Sequence, residues 1–264
     1  MKAYLTAFLM AWGNFLLLPC PRHKWDEQSK NLMLGWLPLI GFVVGFLWCA
    51  LIMLAGRLLG LPLMLTALIS TFYIYAICGF IHLDGFMDVA DAVLSRRSQE
   101  ERIRILKDAR VGAFAVISLF FLLLTFFVLQ FLFLEERVWT GNLLALTIIP
   151  VASRMAASLA VLCFEPMKTS GYSLAHRQDR GRSMILCLGS GQALILAVAI
   201  LSSIMGNIHD GPEVMVAGYV TAAATLFCCL GARKNLGAMN GDIAGFSICA
   251  GEAIGMCALV LLTI

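Results

Sequence analysis

The sequence predicts an all-α fold, a polytopic helical bundle embedded in a membrane, and three observations support this prediction. Hydrophobic residues make up 61% of the 264 residues and charged residues only 13%, whereas soluble domains are roughly half apolar and about a quarter charged. The apolar residues form blocks long enough to cross a bilayer, which takes roughly 20 residues per helix. Lysine and arginine concentrate in alternate loops between these blocks.

The first apolar stretch, MKAYLTAFLMAWGNFLLLPC, is predicted to form a short N-terminal helix. Its roughly 16 apolar residues are few for a span, so the helix either lies along the membrane interface or crosses with a tilt. It lacks an Ala-x-Ala-like cleavage site, and we therefore expect it to be retained rather than removed as a signal peptide.

Seven longer apolar blocks are predicted to be membrane spans. They lie at about 35–56, 61–83, 111–134, 142–164, 183–205, 213–230 and 243–264. Because no polar block between them exceeds about thirty residues, the sequence predicts one integral membrane catalytic domain over residues 1–264.

The loops alternate in charge along the chain. Fifteen lysines and arginines lie in the loops 20–34, 84–110, 165–182 and 231–242, and only Arg57 and Arg137 in the loops 57–60, 135–141 and 206–212. Seven spans place all the basic loops on one side, and an excess of basic residues marks the cytoplasmic side. We therefore expect a multi-pass protein of the cytoplasmic (inner) membrane, in contact with lipid. Topology accounts for the basic residues, so no nucleic-acid partner is expected.

The placement of the cysteines and the absence of common catalytic motifs exclude several function classes. The nine cysteines lie almost wholly within apolar runs and show no Cys-x-x-Cys spacing, so we expect no disulfide framework, zinc site or redox motif. The chain also lacks Gly-x-Ser-x-Gly, P-loop and His-Glu-x-x-His patterns.

An acidic motif ends the second predicted span, in the stretch IHLDGFMDVADAV at 81–93. Asp84, Asp88 and Asp91 are spaced i, i+4, i+7, so on a helix they share one face. Three like charges on one face repel one another, and a divalent cation would relieve that repulsion. Carboxylate oxygens favour Mg²⁺ or Mn²⁺ over zinc. The alternative is a solvated helix end, where aspartates need no partner.

The spacing leaves the number of ions open. Asp84 and Asp91 are about 10 Å apart along a helix axis, too far for one ion. Either two ions bind, or Asp88 pairs with one neighbour, or Gly85 breaks the helix. Mg²⁺ held by one or two carboxylates completes its shell with water and substrate phosphates, so the motif indicates a diphosphate substrate.

The loop after the motif is predicted to carry phosphate-binding residues. Ser98 and Glu101 form a capping box for a short amphipathic helix that leads to Asp108. Lys107 and Arg110 are i, i+3 neighbours just before Gly112, where the next span begins. Arginine suits bidentate phosphate contacts and a helix N-terminus adds partial positive charge; ordinary positive-inside anchoring is the alternative.

Three further charged residues stand in or beside apolar spans. Arg154 lies so far inside a span that it requires a carboxylate or a polar cavity as its partner. Asp242 opens the last span, where it either completes a metal site or caps its own helix. Glu252 lies about 15 Å further along that helix, which makes a shared metal role with Asp242 improbable.

These segments resemble one family. The stretches GFIHLDGFMDVADAV, RILKDARVGAFAV and GAMNGDIAG are similar to hallmark segments of the cobalamin (5′-phosphate) synthase family, the adenosylcobinamide-GDP ribazoletransferases, and VASRMAA matches its Ser-Arg element. Order, spacing and length agree across nearly the whole chain. Departures include Leu16-Leu17 for a usual Thr-Arg, Ala92 for a Gly, and Asn240 for a Thr; these bear on substrate preference or efficiency.

The resemblance implies an Mg²⁺-dependent phosphotransferase that completes the nucleotide loop of cobalamin on the cytoplasmic membrane. α-Ribazole or its 5′-phosphate would attack the cobinamide-bound phosphoryl group of adenosylcobinamide-GDP and release GMP. The implied catalytic residues are Asp84, Asp88, Asp91 and Asp108; the implied metal ligands are Asp84, Asp88, Asp91 and Asp242; the implied phosphate-binding residues are Lys107, Arg110, Gly112 and Arg154. A second copy of the chain or other enzymes of the pathway are the candidate protein partners.

Two alternatives were weighed against this family. A CDP-alcohol phosphotransferase-like enzyme also uses aspartates and Mg²⁺, but its signature needs an Asp-x-x-Asp-Gly-x-x-Ala-Arg pattern that the Asp84 region lacks. A divalent-cation transporter would place its coupling residues near the membrane midplane, whereas this acidic motif lies at one edge.

Overall fold

The structure is a computed structural model that describes residues 2–21, 25–138, 142–167, 180–206 and 209–263. The described residues form eleven α-helices and no strand. In chain order the helices are α1 (Lys2–Phe15), α2 (Lys30–Gly35), α3 (Leu37–Ile52), α4 (Leu63–Ala76), α5 (Ile81–Leu94), α6 (Gln99–Ile105), α7 (Ala113–Arg137), α8 (Ile148–Cys163), α9 (Arg180–Met205), α10 (Asp210–Leu236) and α11 (Gly241–Thr263). A π-helical segment, Met53–Leu58, continues α3, and short 3₁₀ turns precede α2 and α8.

The all-α membrane fold is confirmed. Within the described residues, six helical segments are long and apolar enough to cross a membrane, or seven if α4 and α5 together count as one bent span. The segment that contains α8 is the most enclosed of these spans, since 83% of an apolar 18-residue stretch within it is buried inside the protein. The other helices therefore pack around α8 at the centre of the bundle.

The predicted span at 61–83 is wrong as a continuous helix. The chain turns between α4 and α5, which are bent by 84° relative to each other. Gly79 and Phe80 both adopt left-handed backbone conformations, with φ of 63° and 60°, and such residues end a right-handed helix. The apolar composition continues through the turn, so hydropathy alone extends the span too far.

Aromatic packing joins the helices in the middle of the bundle. The indole of Trp48 on α3 stacks on Phe126 of α7 with 5.9 Å between ring centroids, and its Nε1 donates to Ser70 Oγ of α4 at 2.7 Å. Trp48 is fully buried. A buried indole needs such a hydrogen-bond partner, so this contact fixes α4 against the rest of the bundle.

Contacts between loops group them into two ends. At one end, Arg102 of α6 donates to Asn235 of α10 at 2.5 Å, and the backbone N–H of Met167 donates to the carbonyl of Met239 at 2.7 Å. At the other end, Arg57 donates to the carbonyl of Val138. The structure thus brings together the loops that the charge pattern assigns to a common side.

Helix α1 is too short to cross the membrane by itself. Its 14 residues extend about 21 Å, less than the roughly 30 Å of a hydrocarbon core. The chain after α1 is fixed to the α4–α5 turn by a 2.9 Å hydrogen bond from Leu17 N to the carbonyl of Ile77. This attachment brings the end of α1 to the beginning of α5.

Candidate active site

The three aspartates of the acidic motif lie on one uninterrupted helix, α5. Gly85 does not break it. A side chain at Gly85 would lie 2.8 Å from the backbone oxygen of Asp242, so the glycine is required for α11 to pack closely against α5. This close approach brings Asp242 to the acidic face.

Four carboxylates therefore interact at one end of the bundle. The negative charges of Asp84, Asp242 and Asp91 all repel Asp88. No lysine or arginine salt bridge to any of these four aspartates occurs within the described ranges. The cluster is thus an uncompensated negative site, which attracts cations or cationic groups.

The N-terminus of α11 is capped by Asn240 and not by Asp242; the metal role of Asp242 stays a prediction. Asn240 Oδ1 accepts a 2.9 Å hydrogen bond from the backbone N–H of Ile243, so Asn240 caps the helix. Asn240 also donates from Nδ2 to Oδ2 of Asp242 at 2.6 Å. Asp242 is therefore held by the capping residue, and its carboxylate is available to the acidic cluster.

A small cleft beside α5 brings most of the predicted site residues together. It has a volume of about 30 Å³, and its lining includes the charged residues Asp84, Asp88, Asp91, Asp108 and Arg110 together with Gly112. This space holds about two water-sized groups. The carboxylate of Asp91 occupies the position that a Cβ atom on Gly112 would need, so only glycine at 112 allows Asp91 to approach the N-terminus of α7.

Asp108 and Arg110 form an ion pair at the rim of the cleft. Arg110 donates from Nη2 to Oδ2 of Asp108 at 2.7 Å and from Nε to Oδ1 at 3.1 Å. The guanidinium of Arg110 lowers the pKa of Asp108 to about 2. The Arg110 side chain is 89% exposed, so it can leave Asp108 for another anion without a change in the helices.

Helix α6 positions this pair. The predicted capping box is confirmed: Ser98 Oγ accepts from Glu101 N at 3.4 Å, and Glu101 Oε2 accepts from Ser98 N at 3.2 Å. Lys107, in the turn after α6, is exposed and lines neither the small cleft nor the cavity described next. Of the two predicted phosphate-binding residues in this loop, only Arg110 lies at the cleft.

A deeper cavity lies between α1, α2, α5, α8 and α11. It has a volume of about 150 Å³, and its polar lining includes Asn14, His82, Asp84, Arg154, Ser158 and Asp242. Asp84 lines both this deep cavity and the small cleft. The two spaces therefore meet at Asp84.

Arg154 is at the buried end of the deep cavity and is paired with Glu252. Its Nη1 donates to Oε1 of Glu252 at 2.6 Å, and both side chains are 2% exposed. Ser153 Oγ donates to the same Glu252 oxygen at 2.9 Å. The structure thus supplies the carboxylate that the sequence requires for Arg154, which lies apart from the small cleft; its phosphate-binding role stays a prediction.

Sequence reasoning missed three residues of this arrangement. Glu252 could have been found, because it and Arg154 are isolated opposite charges within apolar spans and such charges pair. His82 lies on α5 away from the cleft, and it lines the deep cavity with its ring stacked 6.2 Å from Phe15. No sequence signal indicated that Asn14, on the N-terminal helix, reaches the site.

The donor set fits an oxygen-preferring cation that the substrate helps to bind. In the described part of the chain, no group of three or more His, Cys, Asp or Glu side chains is arranged to hold a metal ion. Mg²⁺ usually takes only one or two carboxylates and fills its shell with water and substrate phosphates. The aspartates beside the small cleft match that ligand type.

Fold and site together define a multi-pass helical membrane protein with an acidic, arginine-rimmed site at one end of its bundle. The family described as Cobalamin-5-phosphate synthase matches residues 7–260. The chain belongs to this family and is a transferase of the final step of cobalamin assembly. This membership decides against the two alternatives weighed from the sequence.

Curated relatives agree with the family over the full length of the chain. An adenosylcobinamide-GDP ribazoletransferase of Clostridium perfringens is 31% identical and covers 97% of this chain and 98% of its own. Proteins with the same name from Clostridium botulinum, 32% identical with 100% of both chains covered, and Halalkalibacterium halodurans, 31% identical with 96% and 94% covered, are also similar. No solved structure matches the chain.

Proposed function

We propose that the protein transfers the cobinamide phosphate of adenosylcobinamide-GDP to α-ribazole or its 5′-phosphate. A hydroxyl oxygen of the acceptor forms a bond to the phosphorus attached to cobinamide. The phosphoanhydride bond to GMP breaks, and GMP leaves with that electron pair. The names of the similar ribazoletransferases support these substrates, and the observation that carries the proposal is the carboxylate cluster beside an exposed arginine.

One or two carboxylates from the set Asp84, Asp88, Asp91 and Asp242 would hold each Mg²⁺ ion in this reaction. The ion, when bound, neutralises charge on the diphosphate and on the departing GMP. The protein contributes the positions of the carboxylates: α5 presents three of them on one face, and Gly85 admits the backbone of Asp242. In this proposal, the repulsion around Asp88 is the driving force for cation binding.

Arg110 is proposed to bind the diphosphate. It lies at the rim of the small cleft and is largely exposed, so a phosphate oxygen can replace Asp108 as its partner. Guanidinium groups bind phosphate through two parallel hydrogen bonds. Lys107, which directly precedes Asp108 and is exposed, would add positive charge to the approach rather than a contact within the cleft.

The proton of the attacking hydroxyl is proposed to pass to an aspartate of the α5 cluster. Asp108 is the weaker candidate, because its ion pair with Arg110 lowers its pKa to about 2 and such a carboxylate holds a proton poorly. Asp84 is the best-placed acceptor, since it alone lines both the small cleft and the deep cavity.

We propose the cytoplasmic membrane as the location, with the active site facing the cytoplasm. The loops at the site's end carry most of the basic residues, and basic loops remain on the cytoplasmic side. Both nucleotide substrates would then reach the site without crossing the membrane.

The reaction is tested with membranes that contain the protein. They are incubated with adenosylcobinamide-GDP, α-ribazole and Mg²⁺, and corrinoid product and GMP are measured by chromatography and mass spectrometry. Equal amounts of both products are expected, lost on chelation and restored by Mg²⁺. The Asp88→Asn variant should lose activity, whereas Asp26→Asn, a matched change at a partly exposed turn cap outside the site, should keep it.

Two results would contradict the proposal. A well-folded wild-type protein that forms neither product under varied metal and nucleotide conditions would exclude the reaction. Full activity in Asp88→Asn, or in the presence of excess chelator, would exclude the metal role of the cluster.

A further inference from the structure

Two residues that line the deep cavity, Arg154 and His82, each carry a buried polar atom that has no partner among the described residues. Arg154 uses Nη1 for Glu252 and Nη2 for Cys78, but its Nε has no acceptor. The Nε2 atom of His82 is likewise buried and unpartnered. A buried polar atom without a partner is costly, so two of them on residues that line one cavity indicate a missing ligand.

The size and shape of the cavity limit that ligand. Its 150 Å³ matches an engineered protein cavity that binds benzene, so it admits a flat group of one or two rings and excludes a corrin macrocycle. Apolar side chains of Leu34, Leu37 and Val161 form part of its wall. This volume and these apolar side chains fit a mostly apolar group of one or two rings.

The hydrogen-bonding groups select among the heterocycles of the substrates. Arg154 Nε–H can only donate, so the buried end of the ligand must carry an acceptor. Guanine offers acceptors to Arg154 as well, and Asp84 and Asp242 in the lining could accept from its N–H groups. Its edges are polar, however, and leave no apolar group to pack against Leu34, Leu37 and Val161, so an apolar ring system with one acceptor fits this lining better.

The base of α-ribazole meets these requirements. It is a flat two-ring system whose dimethyl-substituted edge is apolar and whose one unsubstituted ring nitrogen accepts a hydrogen bond. Resting on the proposed function, we propose that the deep cavity binds this base, with Arg154 Nε or His82 Nε2 at the ring nitrogen and the ribose beside Asp84 and Asp242.

This assignment places the two substrates in two adjoining spaces beside α5, which share Asp84 in their lining. The diphosphate lies at the small cleft with Arg110, and the acceptor base lies in the deep cavity. The spaces meet at Asp84, so the ribose hydroxyl and the phosphorus come together there. Proximity of this kind supplies a large part of the rate of a two-substrate reaction.

The cavity is tested by filling it. Ala157 lies on the cavity wall and is buried; Ala157→Leu should raise the KM for α-ribazole by roughly 10-fold or more, because cavities discriminate ring substituents by such factors. The KM for adenosylcobinamide-GDP should not change. The variant should also disfavour α-ribazole relative to its analogue without the two methyl groups.

Two further variants separate binding from folding. Ala160→Leu adds the same volume to a buried position of α8 that does not line the cavity, and it should leave both KM values unchanged. His82→Phe keeps a ring against Phe15 but removes Nε2, and it should raise the KM for α-ribazole by roughly 10-fold.

These experiments distinguish a wrong assignment of the cavity from a wrong assignment of the reaction. An active wild type in which Ala157→Leu raises only the KM for adenosylcobinamide-GDP would assign the cavity to the donor and overturn the inference. Unchanged KM values in a well-folded Ala157→Leu variant would overturn it as well. If wild type forms no product, equilibrium dialysis with α-ribazole alone decides: binding weakened by Ala157→Leu supports the inference, and equal or absent binding rejects it.

Discussion

Two arginine–carboxylate pairs of nearly the same length occur at this site, and they have opposite surroundings. Arg154 and Glu252 are 2.6 Å apart and each 2% exposed, whereas Arg110 and Asp108 are 2.7 Å apart, with the arginine 89% exposed. Distance therefore does not indicate what a pair does. Burial does, because it determines whether either partner can be exchanged.

The buried pair cannot exchange its partners. If either partner were removed, the other charge would stay buried and uncompensated. That loss costs far more free energy than the loss of a surface pair. The exposed pair has no such constraint, since water can solvate either ion. The comparison thus indicates that Arg154 Nη1 stabilises the packing of α8 against α11, and it supports the proposal that Arg110 binds substrate.

Removing one partner of the buried pair is expected to have the largest effect. Glu252→Ala leaves the Arg154 guanidinium without its carboxylate, and the free energy of unfolding should fall by about 3–5 kcal/mol. The measurement is denaturant-induced unfolding in mixed micelles. A loss smaller than about 1 kcal/mol would mean that water or another group already compensates Arg154.

A double variant serves as the control for that prediction. Arg154→Met combined with Glu252→Leu removes both charges and should restore most of the stability, because buried pairs are often replaceable by apolar residues. If the double variant is as unstable as Glu252→Ala, packing rather than charge explains the loss.

Removing the exposed arginine should change activity without changing stability. Arg110→Ala takes away a charged donor from the diphosphate, and kcat/KM should fall by roughly 100-fold, while the free energy of unfolding stays the same. Arg110→Lys keeps the charge but not the two-pronged geometry, and it should recover only part of the activity. Full activity in Arg110→Ala would show that this pair is an ordinary surface contact.

A third ion pair lies at the opposite end of the bundle. It tests whether burial alone determines how much the free energy of unfolding falls when one partner is removed. Arg137 and Asp210 are 3.3 Å apart with side chains 17% and 7% exposed, between the other two pairs. Asp210→Asn should lower the free energy of unfolding by about 2 kcal/mol and leave kcat/KM unchanged. A loss of activity equal to that of Arg110→Ala would contradict the separation of the two ends.

The sequence predicts the parts of this arrangement that local patterns encode. Hydropathy predicts the bundle, i, i+4, i+7 spacing predicts the acidic face of α5, and the Ser98–Glu101 pattern predicts the cap of α6. These features depend only on residues within two helical turns of one another. The structure leaves the roles of the individual site residues as predictions.

Features that depend on distant residues were not predictable. The left-handed turn at Gly79 and Phe80 lies in an uninterrupted apolar run, so composition gives no sign of it. Arg154 and Glu252 are 98 positions apart in sequence. Their pairing depends on the relative register of α8 and α11. The cap of α11 was ambiguous because Asn240 and Asp242 are both good capping residues.

The smallest effect is expected at Asp108, the carboxylate of the exposed pair. The Asp108 variant tests whether that pair acts in binding or in catalysis. The Asp108 pKa of about 2 lies below the ordinary value, so any stability from this ionisation is present above the ordinary pKa and is lost only as pH falls towards 2. Asp108 is therefore fully ionised between pH 5 and 9. Asp108→Asn should lower kcat/KM by less than about 5-fold, since general-base loss typically costs 10²–10⁴-fold, and the pH profile of kcat/KM should keep its shape.

The same variant tests how Arg110 is held. Without the carboxylate of Asp108, Arg110 loses its orienting partner in the absence of substrate, so the KM for adenosylcobinamide-GDP should change more than kcat. An Asp108→Asn enzyme that loses the acidic limb of the pH profile together with more than about 100-fold in kcat would make Asp108 the proton acceptor. That result would transfer the role proposed for Asp84 to the rim of the cleft, where the exposed pair would then act in catalysis rather than in binding.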